Sequence, residues 1–232
     1  MKCSLVIPCY NESKSLPNLI EKCSNLIKND PHIDILIVNN GSTDDTKNLL
    51  KKLLLNYEKI NYINLKINKG YGNGIVEGLK HAKGEILSWT HADLQTDPND
   101  IIPCIKIFRS SRSPQSLLVK GKRIGRPVTD TFFTIGMSIF ETILFKQFLW
   151  DINAQPNLIH KSFYKTWRNP PKDFSLDLYC YYIAKKNNFE VKRILTRFSK
   201  RTFGTSSWNT GFKSKVNFIK RTLKYSLDLK RR

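Results

Sequence analysis

The chain is short of acid. Its 39 Lys and Arg stand against 19 Asp and Glu, a formal net charge of +20, so an anionic partner such as a nucleotide, a phosphorylated lipid, an anionic membrane or a nucleic acid suits it. Cysteine is sparse: Cys3, Cys9, Cys23, Cys104 and Cys180 are odd in number, scattered and without a C-x-x-C pair. That argues against a disulfide framework or a zinc site and fits a reducing compartment. Long apolar runs are missing. The richest stretch, Phe132 to Trp150, is broken by Glu141, Lys146 and Gln147 and falls short of the ~18–20 residues needed to span a bilayer. With no secretory h-region at the N-terminus either, the expected location is cytoplasmic, soluble or peripheral on the cytoplasmic face of a membrane, without a transmembrane helix. Internal repeats and low-complexity segments are absent. No G-x-G-x-x-G follows the first strand pattern; the glycines come after the third, spaced G-x-G-x-G, which argues against a dinucleotide-binding fold.

What is present is an alternation. Cys3 to Ile7, Ile33 to Val38, Ile60 to Leu65 and Ile86 to Trp89 are short apolar runs. Between them lie helical patterns: one carries Leu16, Leu19, Ile20, Cys23, Leu26 and Ile27, another Leu49, Leu50, Leu53 and Leu54, and a third spans Ile75 to Ala82. Strands alternating with helices predict βαβ units and a parallel sheet. Right-handed crossovers would bring the polar loops after the strands to one sheet edge, forming a composite site. Asn68 to Gly74 reads as a glycine-rich loop.

The fourth strand ends in HADLQTDP, residues 91–98. Oxygen atoms of Asp93, Gln95 and Asp97 gathered on such a turn suit Mg²⁺ or Mn²⁺ holding a diphosphate, while the plainer reading is an acidic surface turn. The charge surplus is concentrated elsewhere: Ile101 to Thr129 has seven Lys or Arg and no acid, and Lys192 to Arg232 has thirteen against one. From Phe212 onward, Phe212, Val216, Ile219, Leu223 and Leu227 recur at spacings of four, three, four and four. That helix can lie on an anionic membrane, the reading slightly favoured, or dock on the protein's own core.

The series CSLVIPCYNE, ILIVNNGSTDDT, NKGYGNGIVEGLKHAKGEIL and HADLQTDP resembles the family 2 glycosyltransferases. It continues through VKGKRIGRP, DINAQPNLIHKSFY, DFSLDLYCYYIAKK and RFSKRTFGTSSWN. The resemblance covers roughly residues 3 to 209 and is nearest to the dolichyl- and polyprenyl-phosphate sugar synthase branch. It implies an α/β fold of GT-A type: a Rossmann-like, mostly parallel sheet flanked by helices, here followed by the basic amphipathic C-terminal helix. It also implies a donor-binding half at 1–125, an acceptor-binding half of the same domain at 126–209, and the tail at 210–232.

Family roles carry over to matching positions. Pro8, Tyr10, Asn11 and Glu12 would hold the nucleobase and ribose. Asn40, Gly41, Ser42 and Asp44 match an Asp-Asp-Gly-Ser-x-Asp signature whose leading acids are here Asn39 and Asn40; an amide both donates and accepts hydrogen bonds, so base recognition survives with room for a different base. Lys69 and Gly70 match the loop near the phosphates. Asp93 matches the second acid of an Asp-x-Asp metal motif, Gln95 a further ligand, and Ala92 lies between Asp93 and His91. His91 replaces the first acid, which either biases the site toward Mn²⁺ or removes a ligand, unless the imidazole contacts the sugar or ribose. Arg123 and Arg201 match phosphate clamps of the lipid-phosphate branch. Two departures mark this chain: no arginine lies in Thr129 to Ser138, and Ser207 stands where a lysine is expected. For a hydroxyl acceptor, Asp177 is the candidate general base and Asp173 the reserve. A lipid phosphate, already ionised, needs none. Asp151, Asn153, Gln155 and Pro156 form a turn able to shape the sugar or acceptor pocket.

The expected activity is metal-dependent, inverting transfer from a nucleotide-diphosphate-sugar to a polyprenyl phosphate or a cell-surface glycan hydroxyl. Two alternatives stand beside it: a nucleotide-sugar-binding module with a decayed site, and a basic nucleic-acid-binding protein. No recognised nucleic-acid motif supports the latter, and oligomeric state is not read from the sequence.

Overall fold

The computed structural model describes residues 1–201, 203 and 212–231, excluding the side chains of 128–130 and 212–215. Ser207 and the side chain of Phe212 therefore lie outside the described residues. Strands β1 (Cys3–Cys9), β2 (Ile33–Asn40), β3 (Ile60–Leu65), β4 (Ile86–Trp89), β5 (Leu117–Ile124), β6 (Asn157–His160) and β7 (Glu190–Arg197) form one sheet in the order β3-β2-β1-β4-β6-β5-β7. Only β6 runs antiparallel to its neighbours β4 and β5. The carboxyl ends of the other strands therefore share one edge with the lead-in to β6, where residues 151–156 lie.

The helices are α1 (Leu16–Asn29), α2 (Thr46–Leu53), α3 (Tyr71–His81), α4 (Ile101–Ser110), α5 (Val128–Phe145), α6 (Lys161–Lys165), α7 (Ser175–Lys186) and α8 (Phe212–Arg231). Leu5, Ile7, Ile35 and Ile37 pack on one sheet face with Leu19 of α1, Leu50 of α2 and Phe108 of α4. On the other face, Val6, Leu36 and Val38 pack with Ile75 and Leu79 of α3 and Leu176 and Ala184 of α7. Burial on both faces explains why these strands are unbroken apolar runs rather than alternating ones. The GT-A type architecture expected from the sequence is the one found.

Three boundaries differ from expectation. β1 continues through Pro8 because β4 accompanies it only as far as Val6, opposite Trp89; beyond that point β1 has β2 alone as a neighbour, and edge positions tolerate proline. β2 likewise runs on through Asn39 and Asn40, paired with Asn64 and Leu65 of β3. Helix α3 starts at Tyr71, inside the stretch expected to be loop. Gly70 turns the chain at φ 112°, a conformation glycine adopts freely, and a Cβ on Gly72 would sit 2.5 Å from the Asp173 carbonyl oxygen. The glycines serve close packing of a helix start, not a free loop.

Helix α8 docks on the protein. Phe218, Ser226 and Leu229 are buried, Ser226 Oγ donates to Glu141 Oε1 of α5 at 2.7 Å, and the Lys230 ammonium donates to the Leu144 carbonyl oxygen. The buried face is offset from the expected apolar stripe, whose Val216, Ile219 and Leu223 are half-buried and whose Leu227 is exposed. Packing against the protein's own core, the other reading of this amphipathic pattern, is what the described part of α8 shows, with its basic residues left outward.

Candidate active site

A cavity of about 770 Å³ opens at the shared strand edge. Among the expected residues, Pro8, Tyr10, Asn11, Glu12, Asn40, Gly70, His91, Ala92, Asp93, Gln95, Arg123, Asp177 and Arg201 line it, together with Asn153. Gly41, Ser42, Asp44, Lys69, Asp97 and Asp173 are not among its lining residues.

The first two loops are stitched to each other. Asn11 Oδ1 accepts from Thr43 N at 2.8 Å, Asn11 N donates to Ser42 Oγ at 3.0 Å and Ser13 N donates to Asp44 Oδ2 at 3.1 Å. Bonds from Thr46 and Ser13 hold the Asp44 carboxyl below its ordinary range against the opposing effect of burial. Ser42 and Asp44 thus act as scaffold, because backbone groups in adjacent loops must find partners. Asn39 is also occupied, donating to Asn64 Oδ1 and accepting from Ser42 N. Asn40 differs: its Nδ2 donates to Asn68 Oδ1 at 3.2 Å and Gly70 O at 3.0 Å, while its buried Oδ1 has no partner. At the cavity wall that oxygen can take an N–H or O–H from a ligand. Lys69 is exposed on the loop before α3.

Asp93 accepts from Gln95 N at 3.1 Å, shaping the turn after β4. Asp97 leaves the set proposed from the sequence: it caps the 3₁₀ turn Pro98–Asp100 by accepting from Asn99 N and pairs with Lys22 of α1. Gln95 Nε2 donates to Ser199 O at 3.2 Å, and Ser199 N donates to Gln95 O at 2.8 Å. The segment after β7 is therefore strapped across this turn. From that strap Arg201 pairs with Glu12, and its Nε lies 3.9 Å from Asp93 Oδ2. Burial raises the Glu12 carboxyl pKa, against the Ser15 hydroxyl and Arg201. Among the described residues no group of three His, Cys, Asp or Glu converges to hold a metal. Of the ligands expected from the sequence, Asp93, His91 and Gln95 all line the cavity. Such a partial set suits a cation that takes its remaining ligands from substrate phosphates and water.

The wall contributed by β5, α5, α7 and the lead-in to β6 is built on buried charge. Arg123 does line the cavity, but its guanidinium pairs with Asp151, and Arg123 N donates to Asp151 Oδ2 at 2.9 Å. Burial alone would raise the Asp151 carboxyl; Arg123 overcomes it and holds the group low. Asp177 is 1% exposed and accepts from Trp89 Nε1 at 2.9 Å, Gln155 Nε2 at 3.0 Å and Asn157 Nδ2 at 3.1 Å. Burial raises its pKa, against Lys120 and these donors. Gln155 Nε2 also reaches the Tyr71 hydroxyl at 3.0 Å, and the Tyr71 ring stacks on Phe174 at 4.8 Å and lies 5.4 Å from His91. Asp173 accepts from Ser175 N and pairs with Arg221 of α8 at 3.0 Å.

Sequence reasoning missed Lys120, Tyr71 and Glu141. Lys120 is fully buried, donating to Ile152 O at 3.0 Å and to Asn157 Oδ1, and burial brings its pKa down to about 8. Glu141 lines the cavity, is 0% exposed, and has Oε2 unpartnered; burial pushes its pKa up to about 7 against the Ser226 bond. The available signal was a lone charge inside an apolar run, LLVKG for Lys120 and SIFETIL for Glu141.

Residues 4–148 match the family model described as glycosyl transferase family 2. A dolichyl-phosphate beta-glucosyltransferase, ALG5A of Trichomonas vaginalis, is 32% identical over 146 residues. That match takes in 58% of this chain and 45% of the relative, so the chain spans less than half of that relative's length. Glucosyl-3-phosphoglycerate synthase of Mycobacterium tuberculosis, in complex with Mn²⁺, UDP-glucose and phosphoglyceric acid, superimposes with a TM-score of 0.73 at 14% identity, covering 99% of this chain and 79% of that one. Mannosyltransferase PcManGT of Pyrobaculum calidifontis, with GDP-Man and Mn²⁺, gives a TM-score of 0.65 at 14% identity, covering 88% and 58%. At those identities the structural likeness concerns the fold.

Proposed function

Since the chain belongs to glycosyl transferase family 2, we propose that it moves a sugar from a nucleotide-diphosphate-sugar to a polyprenyl phosphate, with inversion at the anomeric carbon. The observation that carries this reading is one cavity lined together by Pro8, Tyr10, Asn11, Glu12 and Asn40 of the expected nucleotide loops, by Asp93, and by Arg123 and Arg201. The donor half (1–125) seats the nucleotide: Pro8, Tyr10 and Asn11 form its bed, and Asn40 Oδ1 takes an N–H or O–H of the nucleoside. Asp93, with His91 and Gln95, would hold Mg²⁺ or Mn²⁺, the imidazole slightly favouring Mn²⁺; when bound, the ion supplies positive charge to the leaving diphosphate. Arg201, freed from Glu12, is placed to add a second cation there.

The acceptor half (126–209) leads to the choice of acceptor. Inversion needs an oxygen that bonds to the anomeric carbon on the side opposite the departing diphosphate, which takes the electron pair. Asp177, buried and already accepting three hydrogen bonds from within the protein, does not face an acceptor hydroxyl freely, and a phosphate acceptor asks for no base. The relative named as a dolichyl-phosphate glucosyltransferase agrees with that acceptor. A glycan hydroxyl is the second reading, favoured by Glu141, whose raised pKa and unpartnered oxygen suit a general base. Asp177 and Asp173 remain weaker bases in that reading.

A thermal-shift screen of UDP-, GDP-, CDP- and dTDP-sugars with Mg²⁺ or Mn²⁺ tests the donor, since a ligand that binds only the folded protein raises its melting temperature. Sugar transfer to a short polyprenyl phosphate tests the acceptor. Binding of a nucleotide-sugar without any transfer would turn the reading into a binding module with a decayed site, and no binding at all would sink it.

A further inference from the structure

Two rings hold Tyr71 in the cavity wall. Phe174 stacks on it at 4.8 Å with 14° between the planes, the His91 imidazole lies 5.4 Å away at 32°, and all three residues line the cavity. Such contacts leave the half-buried ring little freedom, so its hydroxyl has a fixed place. What that hydroxyl does is decided by a chain of hydrogen bonds that begins at a buried lysine. The Lys120 ammonium has three N–H groups and no lone pair, and spends them on Ile152 O at 3.0 Å, Ala154 O at 3.3 Å and Asn157 Oδ1. Asn157 therefore turns its oxygen to Lys120 and its amide nitrogen to Gln155 Oε1 at 2.9 Å and Asp177 Oδ1 at 3.1 Å. That settles Gln155 in turn: its oxygen faces Asn157, and its Nε2 donates to Asp177 Oδ2 and to the Tyr71 hydroxyl, each at 3.0 Å. The Tyr71 oxygen thus receives a hydrogen bond, while its own proton meets no acceptor among the described residues. Burial, and after it the Asp177 and Asp93 charges, pushes the Tyr71 pKa up, so the hydroxyl keeps that proton.

We propose that the Tyr71 hydroxyl donates this unspent hydrogen bond to a hydroxyl oxygen of the transferred sugar, which makes Tyr71 a sugar-contacting residue of the donor site. The inference rests on the nucleotide-sugar reading given above. Placement selects the sugar over its neighbours. Gly70, immediately before Tyr71, accepts from Asn40 of the nucleoside loop, and His91, against the Tyr71 ring, is two residues from Asp93 at the diphosphate end. The next group beyond a diphosphate is the sugar, and there the Tyr71 hydroxyl meets Gln155 of the lead-in to β6. Charge points the same way. The Asp177 carboxylate shares Gln155 Nε2 with the hydroxyl, so a phosphate held at this point would be repelled, whereas a neutral sugar hydroxyl is not. A donor fixed in this way also discriminates, because a ligand that fails to supply the acceptor leaves a buried polar group unpaired.

Calorimetry on the full chain tests it, comparing wild type with Tyr71→Phe, a change that keeps the ring and removes only the oxygen. The probes are matched pairs of a bare diphosphate and its sugar: UDP with UDP-glucose, GDP with GDP-mannose, CDP with CDP-glucose and dTDP with dTDP-glucose. For the pair that wild type binds, the variant should hold the diphosphate within about twofold of wild type and the nucleotide-sugar roughly threefold to tenfold more weakly. The retained diphosphate affinity shows that the variant folds with its nucleotide site intact. An equal loss for both members of the pair would assign the contact to the diphosphate, and no loss for either would show the hydroxyl unused; each overturns this inference and leaves the nucleotide-sugar reading standing. Unchanged nucleotide-sugar affinity together with a raised KM for a short polyprenyl phosphate would move the contact to the acceptor and overturn it too. Wild type that binds none of the eight probes would sink the reading and this inference with it.

Discussion

The two halves of the cavity are held together by different physics. On the donor side, the loops after β1, β2 and β3 are joined mostly by bonds to backbone N–H groups and between amides, such as Asn11 with Thr43 and Asn40 with Gly70. On the acceptor side, buried charge does the same job: Lys120 and Asp177 share a network through Asn157, Arg123 pairs with Asp151, and Glu141 is buried with one oxygen unpartnered. Each donor-side bond is worth about 1 kcal/mol and fails alone. A buried charge loses far more when one partner goes, because the other is left desolvated and unpaired. The donor side should therefore tolerate change in its frame while its chemistry is sensitive, and the acceptor side should show the reverse.

The largest expected effect tests the first half of that contrast. Asp93→Ala removes the carboxylate of the cation and diphosphate end, and should lower transfer by at least about 10³-fold with little change in the unfolding midpoint. Steady-state turnover of the labelled donor and a urea melt on the same preparation decide it; unchanged turnover would remove Asp93 from the reaction. On the acceptor side, Asp177→Ala leaves the N–H groups of Trp89, Gln155 and Asn157 without their acceptor and Lys120 without its counter-charge. A stability loss of roughly 3–5 kcal/mol is expected in denaturant unfolding. Asp177→Asn that keeps full stability yet abolishes transfer would break the comparison and restore this residue as the general base.

Glu141 gives the contrast a pH signature. Burial lifts its pKa in the folded chain to about 7 from the ordinary 4.5, so between those values the folded chain holds a proton that the unfolded chain has released. Its contribution is full below the lower value and is lost as pH rises through the upper one. Glu141→Gln should remove that loss, gaining on wild type by on the order of 3 kcal/mol between pH 4.5 and 8. Melting temperatures of both proteins across that range test it, and parallel curves would show that the carboxyl is solvated.

The same difference explains what could be read in advance. Donor-side positions sit in contiguous signatures at strand ends, so Pro8, Asn40 and Asp93 were legible as neighbours of one edge before any coordinates. The α/β alternation, with each strand an apolar run, made the fold legible too. Acceptor-side pairs are long-range: Arg123 meets Asp151, Glu141 meets Ser226, and Trp89 meets Asp177 from 88 residues away. Nothing in local patterning encodes such partners, and Arg123 therefore read as a free phosphate clamp. Within the signatures themselves the sequence could not separate a ligand contact from a loop brace, which is why Ser42 and Asp44 were expected in the site they only support.

Lys69 offers the finest discrimination of that kind. The resemblance assigns it to the phosphates, yet it is exposed and absent from the cavity wall, whereas its neighbour Gly70 both lines the wall and accepts from Asn40. A lysine in direct contact with a diphosphate makes a charge-assisted hydrogen bond worth roughly 1.5–3 kcal/mol, a factor of ten or more in affinity. An exposed lysine outside the site changes matters by less than about 0.5 kcal/mol. Lys69→Ala should accordingly leave nucleotide-sugar affinity, measured by calorimetry at physiological salt, within about twofold of wild type. A tenfold loss would mean that the loop before α3 folds inward on the bound diphosphate, and the donor side would then be less preorganised than its hydrogen bonds imply.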